Sequence, residues 1–299
     1  MLRHALAEKE GVTPDNLFFG EGSNEIIHML VHAFCRPNVD EVLTHQYAFI
    51  SYRLAALSMG VRFVEAPTTP ELSCDVDALI AAMGANTKII FLANPNNPTG
   101  SYVTRAQLER ILEAAPRRAL VVVDEAYHEY SIAAMDDFPR SQTYHSPERP
   151  QLLTLRTFSK IYGLAGLRVG YAVGDARVLA VLEQVRRPFN LNLVAQAAAL
   201  AALGDSAHVA TSRVVAQRGI EAITESAHSL GLRAYPSIGN FLLIHAGQAA
   251  EQVYQTLLRC GVIVRAMGVW GLPEHLRVSV PPGEQLPRVT TALHQALGK

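Results

Sequence analysis

The sequence has few of the features that mark a specialised class of protein. Its three cysteines, Cys35, Cys74 and Cys260, are too few and too far apart for a disulfide framework or a zinc knuckle. We interpret them as small buried hydrophobic residues of a protein kept in a reducing compartment. No metal site is predicted.

An excess of charge and a long apolar run are also missing. The 26 basic and 27 acidic residues leave a net charge of −1, which gives nucleic acid or an anionic membrane nothing to bind. The alanine-rich run at 193–203 is interrupted by Gln196 and is too short to cross a bilayer. No secretory signal precedes Leu2. We expect a cytoplasmic protein without nucleic-acid or membrane partners.

What the sequence does contain is an alternating pattern typical of an α/β protein. From residue 41, short apolar segments alternate with helical ones, which predicts a mostly parallel sheet flanked by helices. Helical patterning then runs over 194–230 with a break near Gly204-Asp205. We place a domain boundary there, between a large domain at 1–204 and a small α+β domain at 205–299. The small domain is predicted to have strands at 241–244, 262–264 and 276–280.

One turn near the middle of the chain is rich in groups that carry chemistry. An apolar strand ends in Thr157-Phe158-Ser159-Lys160, and Arg168 follows eight residues later. A lysine flanked by hydroxyls and an arginine suits a nucleophile that forms a Schiff base beside a phosphate. A solvated surface lysine is the alternative.

Polar residues also follow other predicted strands, where a parallel sheet places its ligands. Asp124 comes directly after a buried apolar run, so it needs a partner unless it only caps a helix. Glu125 is expected to be solvent-facing or structural. Ser23 is a predicted helix N-cap, which opens either an anion site or an ordinary helix. Tyr47 follows the strand at 42–44 and either stacks on a flat ring or lies partly buried in a loop.

These segments resemble the fold-type I aminotransferases, which use pyridoxal phosphate. The string S-K-x-x-G-x-x-G-x-R ends at Arg168, and N-P-x-N-P-T-G occupies 94–100. With the glycine turn at 20–25, Asp124 and Arg277, the motifs occur in family order and cover nearly the whole chain. The segment 21–25, the run V-I-V-R at 262–265 and the pair Asn240-Phe241 are similar to one branch, the histidinol-phosphate aminotransferases.

The resemblance implies a role for each site residue. Lys160 holds the cofactor and moves a proton, Asp124 keeps the ring nitrogen protonated, and Tyr127 with Asn97 contacts the phenolic oxygen. Tyr47 stacks on the ring. Six residues are implied to surround the phosphate: Gly22, Ser23, Asn24, Thr157, Ser159 and Arg168. Two arginines, Arg265 and Arg277, are implied to bind substrate anions, although each fits an exposed strand-edge charge as well.

The implied activity is transamination between L-histidinol phosphate and 2-oxoglutarate, giving imidazole acetol phosphate and glutamate in histidine biosynthesis. The resemblance also implies a homodimer, with the loop at 187–192 at its interface. Three alternatives stay open at this point: an aromatic amino acid aminotransferase, a threonine-phosphate decarboxylase that uses the same cofactor, and a truncated relative without catalysis.

The start of the sequence gives one more expectation. Members of the family carry some tens of residues ahead of the helix with which this sequence opens, including a tyrosine that reaches the partner's cofactor phosphate. The sequence has no counterpart before Gly20. From the sequence alone we expect the chain to dimerise and bind pyridoxal phosphate but to turn over poorly.

Overall fold

The protein is described by a computed structural model that covers residues 1–146, 148–149, 151–247 and 250–297. Eleven strands are found in these ranges: β1 (Leu17–Gly20), β2 (Glu41–His45), β3 (Arg62–Ala66), β4 (Thr87–Ala93), β5 (Leu120–Asp124), β6 (Leu152–Thr157), β7 (Gly170–Gly174), β8 (Arg233–Ala234), β9 (Phe241–His245), β10 (Arg265–Ala266) and β11 (His275–Ser279).

Eleven α-helices are found in the same ranges: α1 (Leu2–Glu10), α2 (Ser23–Phe34), α3 (Ser51–Ser58), α4 (Val76–Ala81), α5 (Arg105–Ala114), α6 (His128–Ser131), α7 (Ala176–Val185), α8 (Leu193–Gly204), α9 (Ser206–Ser229), α10 (Ala250–Arg259) and α11 (Leu286–Leu297). The alternation of strands and helices predicted for 41–123 is confirmed, with boundaries shifted by one or two residues.

The first seven strands form one sheet, in the order β1-β7-β6-β5-β4-β2-β3. Strands β2 to β6 pair in parallel, whereas β7 runs antiparallel to both of its neighbours, β6 and β1. The prediction of a mostly parallel sheet is therefore confirmed. Because β2, β4, β5 and β6 point the same way, their carboxyl ends meet at one edge of the sheet.

The central strands read as continuous apolar runs because helices cover both faces of the sheet. Val122 of β5 packs with Phe91 in a cluster on one face, while its neighbours Val121 and Val123 pack with Leu92 on the other. Successive side chains of a strand point to opposite faces, so each valine is buried in a different layer. This alternation continues into the residues after β5.

The last four strands form a separate antiparallel sheet, in the order β10-β11-β9-β8. Helices α9, α10 and α11 supply apolar residues to its core. The strand predicted at 262–264 is wrong: the pairing begins only at Arg265, and Ile263 is 78% exposed, so it has no sheet to pack against. The two sheets lie on either side of the boundary predicted after residue 204, which stays a prediction.

No single helix in the described ranges is long and apolar enough to span a membrane. Only α8 and α9 taken together, across a bend of 78°, would meet that criterion by length and composition.

Candidate active site

A cavity of about 570 Å³ opens at the carboxyl ends of β4, β5 and β6, beside the start of α2. Its lining combines one acid, one lysine, one arginine, several hydroxyls and amides, and two aromatic rings. The residues that line it are Ser23, Asn24, Phe49, Ala93, Pro95, Asn97, Asp124, Ala126, Tyr127, Thr157, Ser159, Lys160 and Arg168. Nine of the sequence-predicted site residues are therefore brought together in one place.

Asp124 is the last residue of β5 and is almost completely buried. Its Oδ2 accepts a hydrogen bond of 3.0 Å from the hydroxyl of Tyr52, while Oδ1 accepts none from the described residues. Burial raises the pKa of Asp124 to about 6, and the hydrogen bond from Tyr52 opposes that rise. One oxygen of this acid is thus left for a partner in the cavity.

Glu125 lies on the opposite side of the sheet from Asp124. The prediction of a solvent-facing residue is wrong, because Glu125 is buried and its Oε2 accepts bonds from Nε and Nη2 of Arg156 at 3.0 and 2.8 Å. Burial alone would raise the pKa of Glu125, but the charges of Arg156 and His128 outweigh it and hold the pKa at about 2. A second acid, Glu10 of α1, accepts bonds from Nη1 of the same arginine at 3.2 and 3.3 Å. Asp124 does not serve as a helix cap.

Lys160 lies three residues beyond the end of β6, and its side chain is exposed to the cavity. Its Nζ stands 5.2 Å from the centre of the Tyr127 ring. The ring of Tyr127 in turn packs edge-on against Phe241 of the second sheet, with 5.0 Å between centres. The amine therefore lies between the two sheets, beside a phenol that tertiary packing fixes.

The start of α2 comes into close contact with β7. Gly22 has a φ of 78°, which favours glycine, and a Cβ on it would stand 2.4 Å from Nη2 of Arg168. A Cβ on Gly170 would stand 2.2 Å from the backbone nitrogen of Ser23. Gly22, and not Ser23, is the cap residue, so the predicted capping by the Ser23 side chain is wrong. The free backbone N–H groups of α2 remain an anion site.

Arg168 holds its guanidinium at this helix start, although the strand begins only at Gly170. Its Nη1 donates to Oγ of Ser159 at 3.3 Å and to the carbonyl of Ala165 at 2.9 Å, and its Nη2 donates to the carbonyl of Glu21 at 3.3 Å. In addition, the backbone N–H of Ser159 donates to Oγ1 of Thr157 at 3.1 Å. A cation, two hydroxyls and a helix N-terminus thus surround one end of the cavity.

The two arginines of the second sheet stand directly opposite each other in the β10–β11 pairing. Nη1 of Arg277 donates to Oδ1 of Asn97 at 2.6 Å, so Arg277 reaches the rim of the cavity and leaves the amide nitrogen of Asn97 to donate. Burial lowers the pKa of Arg277. Arg265 is exposed and stacks at 5.8 Å on the ring of Trp270, outside the cavity lining.

Tyr47, predicted to stack on the cofactor ring, is not among the cavity-lining residues. It has a φ of 56° and lines a neighbouring cavity with Trp270, whereas the ring of Phe49 lines the first cavity. The left-handed turn at Tyr47 places its side chain on the other side of the loop. The sequence analysis also missed Tyr52, three residues after Phe49, for which a buried polar ring near a lone acid is the available signal.

The residues of the cavity fit the pyridoxal phosphate that the resemblance implies. The unpaired Oδ1 of Asp124 is a buried acceptor that matches the proton of a pyridinium nitrogen. The cradle of Gly22, Ser23, Ser159 and Arg168 offers the backbone and guanidinium donors that a phosphate monoester takes. No group of His, Cys, Asp and Glu in the described residues could hold a metal ion.

Comparison with known proteins gives the same family from sequence and from structure. Residues 1–293 match the family described as aminotransferase class I and II. The chain is 44% identical to histidinol-phosphate aminotransferase of Anaeromyxobacter sp. (strain Fw109-5), which it covers by 81% with all of its own length. It is 41% identical to the enzyme of that name from Moorella thermoacetica, of which 76% is covered by 99% of this chain.

Solved structures are similar over the same range. Histidinol-phosphate aminotransferase from Sinorhizobium meliloti, determined in complex with pyridoxal-5′-phosphate, matches with a TM-score of 0.91 at 28% identity, over 99% of this chain and 80% of that one. Aspartate aminotransferase from Thermus thermophilus, determined with maleate, matches with a TM-score of 0.87 at 26% identity, over 99% of this chain and 81% of that one.

Proposed function

This chain belongs to the class I and II aminotransferases, and from that premise we propose that it transfers the amino group of L-histidinol phosphate to 2-oxoglutarate. The products are imidazole acetol phosphate and glutamate, and the reaction is a step of histidine biosynthesis. The cofactor is pyridoxal 5′-phosphate. The identity of 41–44% to proteins named for this reaction supports the choice of substrate.

One observation carries the proposal. A single cavity contains an exposed lysine and a buried carboxylate with one unpaired oxygen, with an anion cradle at its end. Aminotransfer with pyridoxal phosphate needs these three groups together, since the lysine binds the carbonyl carbon, the acid holds the ring nitrogen and the cradle holds the phosphate.

The cofactor-binding roles follow from position. The backbone N–H groups of Ser23 and Asn24, the hydroxyls of Thr157 and Ser159 and the guanidinium of Arg168 hold the phosphate. Phe49 takes the stacking role first given to Tyr47. Bound in this way, pyridoxal phosphate supplies an electron sink for the carbon that carries the substrate's amino group.

The chain's own groups move and hold the protons. Nζ of Lys160 is the amine that binds the cofactor and, once the substrate has replaced it, the base that takes the proton from the substrate carbon. Oδ1 of Asp124 holds a proton on the ring nitrogen. The amide nitrogen of Asn97 and the hydroxyl of Tyr127 donate to the phenolic oxygen.

The site must accept two anions in turn, the phosphate of one substrate and the distal carboxylate of the other. Arg277, fixed by Asn97, binds the anion nearer the cofactor. Arg265 lies opposite it on the neighbouring strand and is free to reach the second anion. An arginine suits both tasks because its planar fork matches carboxylate and phosphate oxygens.

The test is an absorbance spectrum of the purified protein with pyridoxal phosphate, followed by an assay with histidinol phosphate and 2-oxoglutarate. We expect a visible band that changes when histidinol phosphate is added, and glutamate as product. Lys160→Ala should abolish the band and the turnover while leaving the melting temperature within about 2 °C, because Lys160 is an exposed residue. Faster turnover of an aromatic amino acid than of histidinol phosphate would contradict the assignment.

The assembly and location are also part of the proposal. We place a homodimer contact at the segment after α7, where Phe189 is 97% exposed and Leu193 and Val194 lie exposed beside it. Apolar side chains this exposed and this close together are typical of a surface that a partner covers. A cytoplasmic location is proposed, as for other enzymes of amino-acid biosynthesis.

A further inference from the structure

We propose that Tyr52 is a positioning residue, which holds Asp124 so that Oδ1 of the carboxylate, and not Oδ2, stays available to the ring nitrogen of the cofactor. The inference rests on the proposed function, since it concerns how the acid of that site is oriented. Tyr52 itself does not line the cavity.

The hydrogen bond is made in a fully enclosed place. Tyr52 is 0% exposed, and its hydroxyl donates to Oδ2 of Asp124 at 3.0 Å. A bond to a buried carboxylate is among the stronger ones in proteins. Since Oδ2 is occupied and Oδ1 has no partner among the described residues, the carboxylate presents one defined oxygen.

The ring of Tyr52 is fixed by other rings on both sides. It stacks on Phe91 of β4 with 4.5 Å between centres and an angle of 2°, and it meets Phe49 edge-on at 5.8 Å and 86°. Strands β4 and β5 are paired, so Phe91 and Asp124 belong to the same rigid sheet. Phe49 lines the cavity itself. The three rings therefore link the residue beneath the cofactor ring to the partner of its acid.

Tyr52 is a permanent donor in this place. Burial raises its pKa well above the ordinary value, and the adjacent charge of Asp124 raises it further, so the hydroxyl keeps its proton at any working pH. A histidine in the same position would change its charge near neutral pH, which a phenol does not. The orientation of Asp124 then depends on packing alone.

The test is Tyr52→Phe in the cofactor-loaded enzyme, because this change removes the hydroxyl and keeps the ring stack. We expect kcat with histidinol phosphate to fall about tenfold, the loss of one hydrogen bond to a charged group, with KM changed less than twofold. The pH midpoint of the visible cofactor band should rise by about half a unit. The reason is that a more basic Asp124 draws the proton from the ring nitrogen and so makes the lysine-bound nitrogen more basic.

A double-mutant cycle separates positioning from mere stabilisation. If Tyr52 acts through Asp124, adding Tyr52→Phe to Asp124→Asn should change neither kcat nor the dissociation constant of pyridoxal phosphate by more than about twofold, since the two residues work as one unit. Tyr102→Phe is the matched control, because the hydroxyl of Tyr102 donates to Asp137 at 2.8 Å near the surface, away from the cavity. We expect that control to leave kcat, the spectrum and cofactor binding unchanged.

Three results would overturn the inference. Tyr52→Phe could match the wild type in kcat and in the pH midpoint, its loss could add in full to that of Asp124→Asn, or the variant could lose its fold, which would give the hydroxyl a purely structural role. A wild-type protein without a cofactor band or turnover would instead overturn the proposed function. The two failures are therefore read from different proteins.

Discussion

Asp124 and Glu125 are neighbours in the sequence, equally buried, and opposite in electrostatic state. Asp124 faces the cavity, has one unpaired oxygen and has a pKa raised to about 6. Glu125 faces the other side of the sheet, is bound by Arg156 and has a pKa held at about 2. The difference teaches that burial does not set the charge of an acid by itself, because the partners on each face of the strand decide it.

The two faces also divide the work of the protein. The Glu125 side is closed, since Arg156 joins β6 to Glu10 of α1 and to the residue after β5 in one buried network. The Asp124 side keeps an acceptor that only a ligand can satisfy. Leaving such an acceptor unpaired costs folding free energy, which the bound cofactor returns.

The largest effect should come from opening the closed side. Arg156→Ala leaves Glu125 and Glu10 buried without their cation, and we expect the free energy of unfolding to fall by about 3–5 kcal/mol. Chemical denaturation with urea measures it. Arg177→Ala is the matched control, because its ion pair with Asp175 is at the surface, where the arginine side chain is 76% exposed, and it should cost less than about 1 kcal/mol. Equal losses in the two variants would show that the buried network contributes nothing special.

The next effect breaks the open side. Asp124→Asn keeps the shape of the side chain but cannot hold the ring proton, so we expect kcat/KM to fall about 10²–10³-fold with cofactor still bound. Glu125→Gln changes the charge of the neighbour on the opposite face, and its kcat should stay within about threefold of the wild type. Steady-state kinetics with histidinol phosphate decides between them, and near wild-type turnover in Asp124→Asn would remove the acid from the mechanism.

The pH dependence of stability should have opposite signs for the two acids. Asp124 has a raised pKa when folded, so in protein freed of cofactor its contribution is present below about pH 4 and is lost as pH rises towards 6, roughly 3 kcal/mol at most. Glu125 has a depressed pKa, so its contribution is present above about pH 4 and is lost as pH falls towards 2. Unfolding free energies of the wild type, Asp124→Asn and Glu125→Gln from pH 2 to 7 test this. Each variant should flatten only its own window.

The smallest effects sharpen the comparison with two cations, one held by a partner and one free. Arg277→Ala, which removes the partner of Asn97, should raise KM for glutamate and histidinol phosphate alike by about tenfold, near 1.4 kcal/mol. Arg265→Ala should raise KM mainly for histidinol phosphate. Arg233→Ala is the control, since Arg233 stacks on Tyr235 in the same sheet. Equal changes for both substrates in both arginine variants would leave only a general basic site.

Much of the site was predicted from the sequence because its motifs are local. The turn that carries Lys160, the N-P-x-N-P-T-G segment and the acid after β5 all follow strands, and parallel strands bring their carboxyl ends to one edge whatever the packing. The arginines in the second sheet were likewise found from their places in short strands. Motif and strand order sufficed for these residues.

The residues that were misassigned depend on orientation. Tyr47 and Phe49 lie two positions apart in one loop, and the left-handed φ of Tyr47 decides which ring reaches the cavity. Ser23 and Gly22 exchange the cap position for a similar reason, because the backbone before α2 adopts a conformation that favours glycine. Sequence spacing does not report such backbone angles.

The sequence by itself determined the family, the alternating fold and the set of chemical groups, since composition, periodicity and motif order are properties of the chain. Only the tertiary structure decided the state of those groups. Asp124 and Glu125 have nearly the same chemistry, and Tyr52, Phe91 and Arg156 come to them from other parts of the chain. Charge, orientation and free hydrogen-bonding capacity depend on distance and burial, and these exist only once the strands have packed.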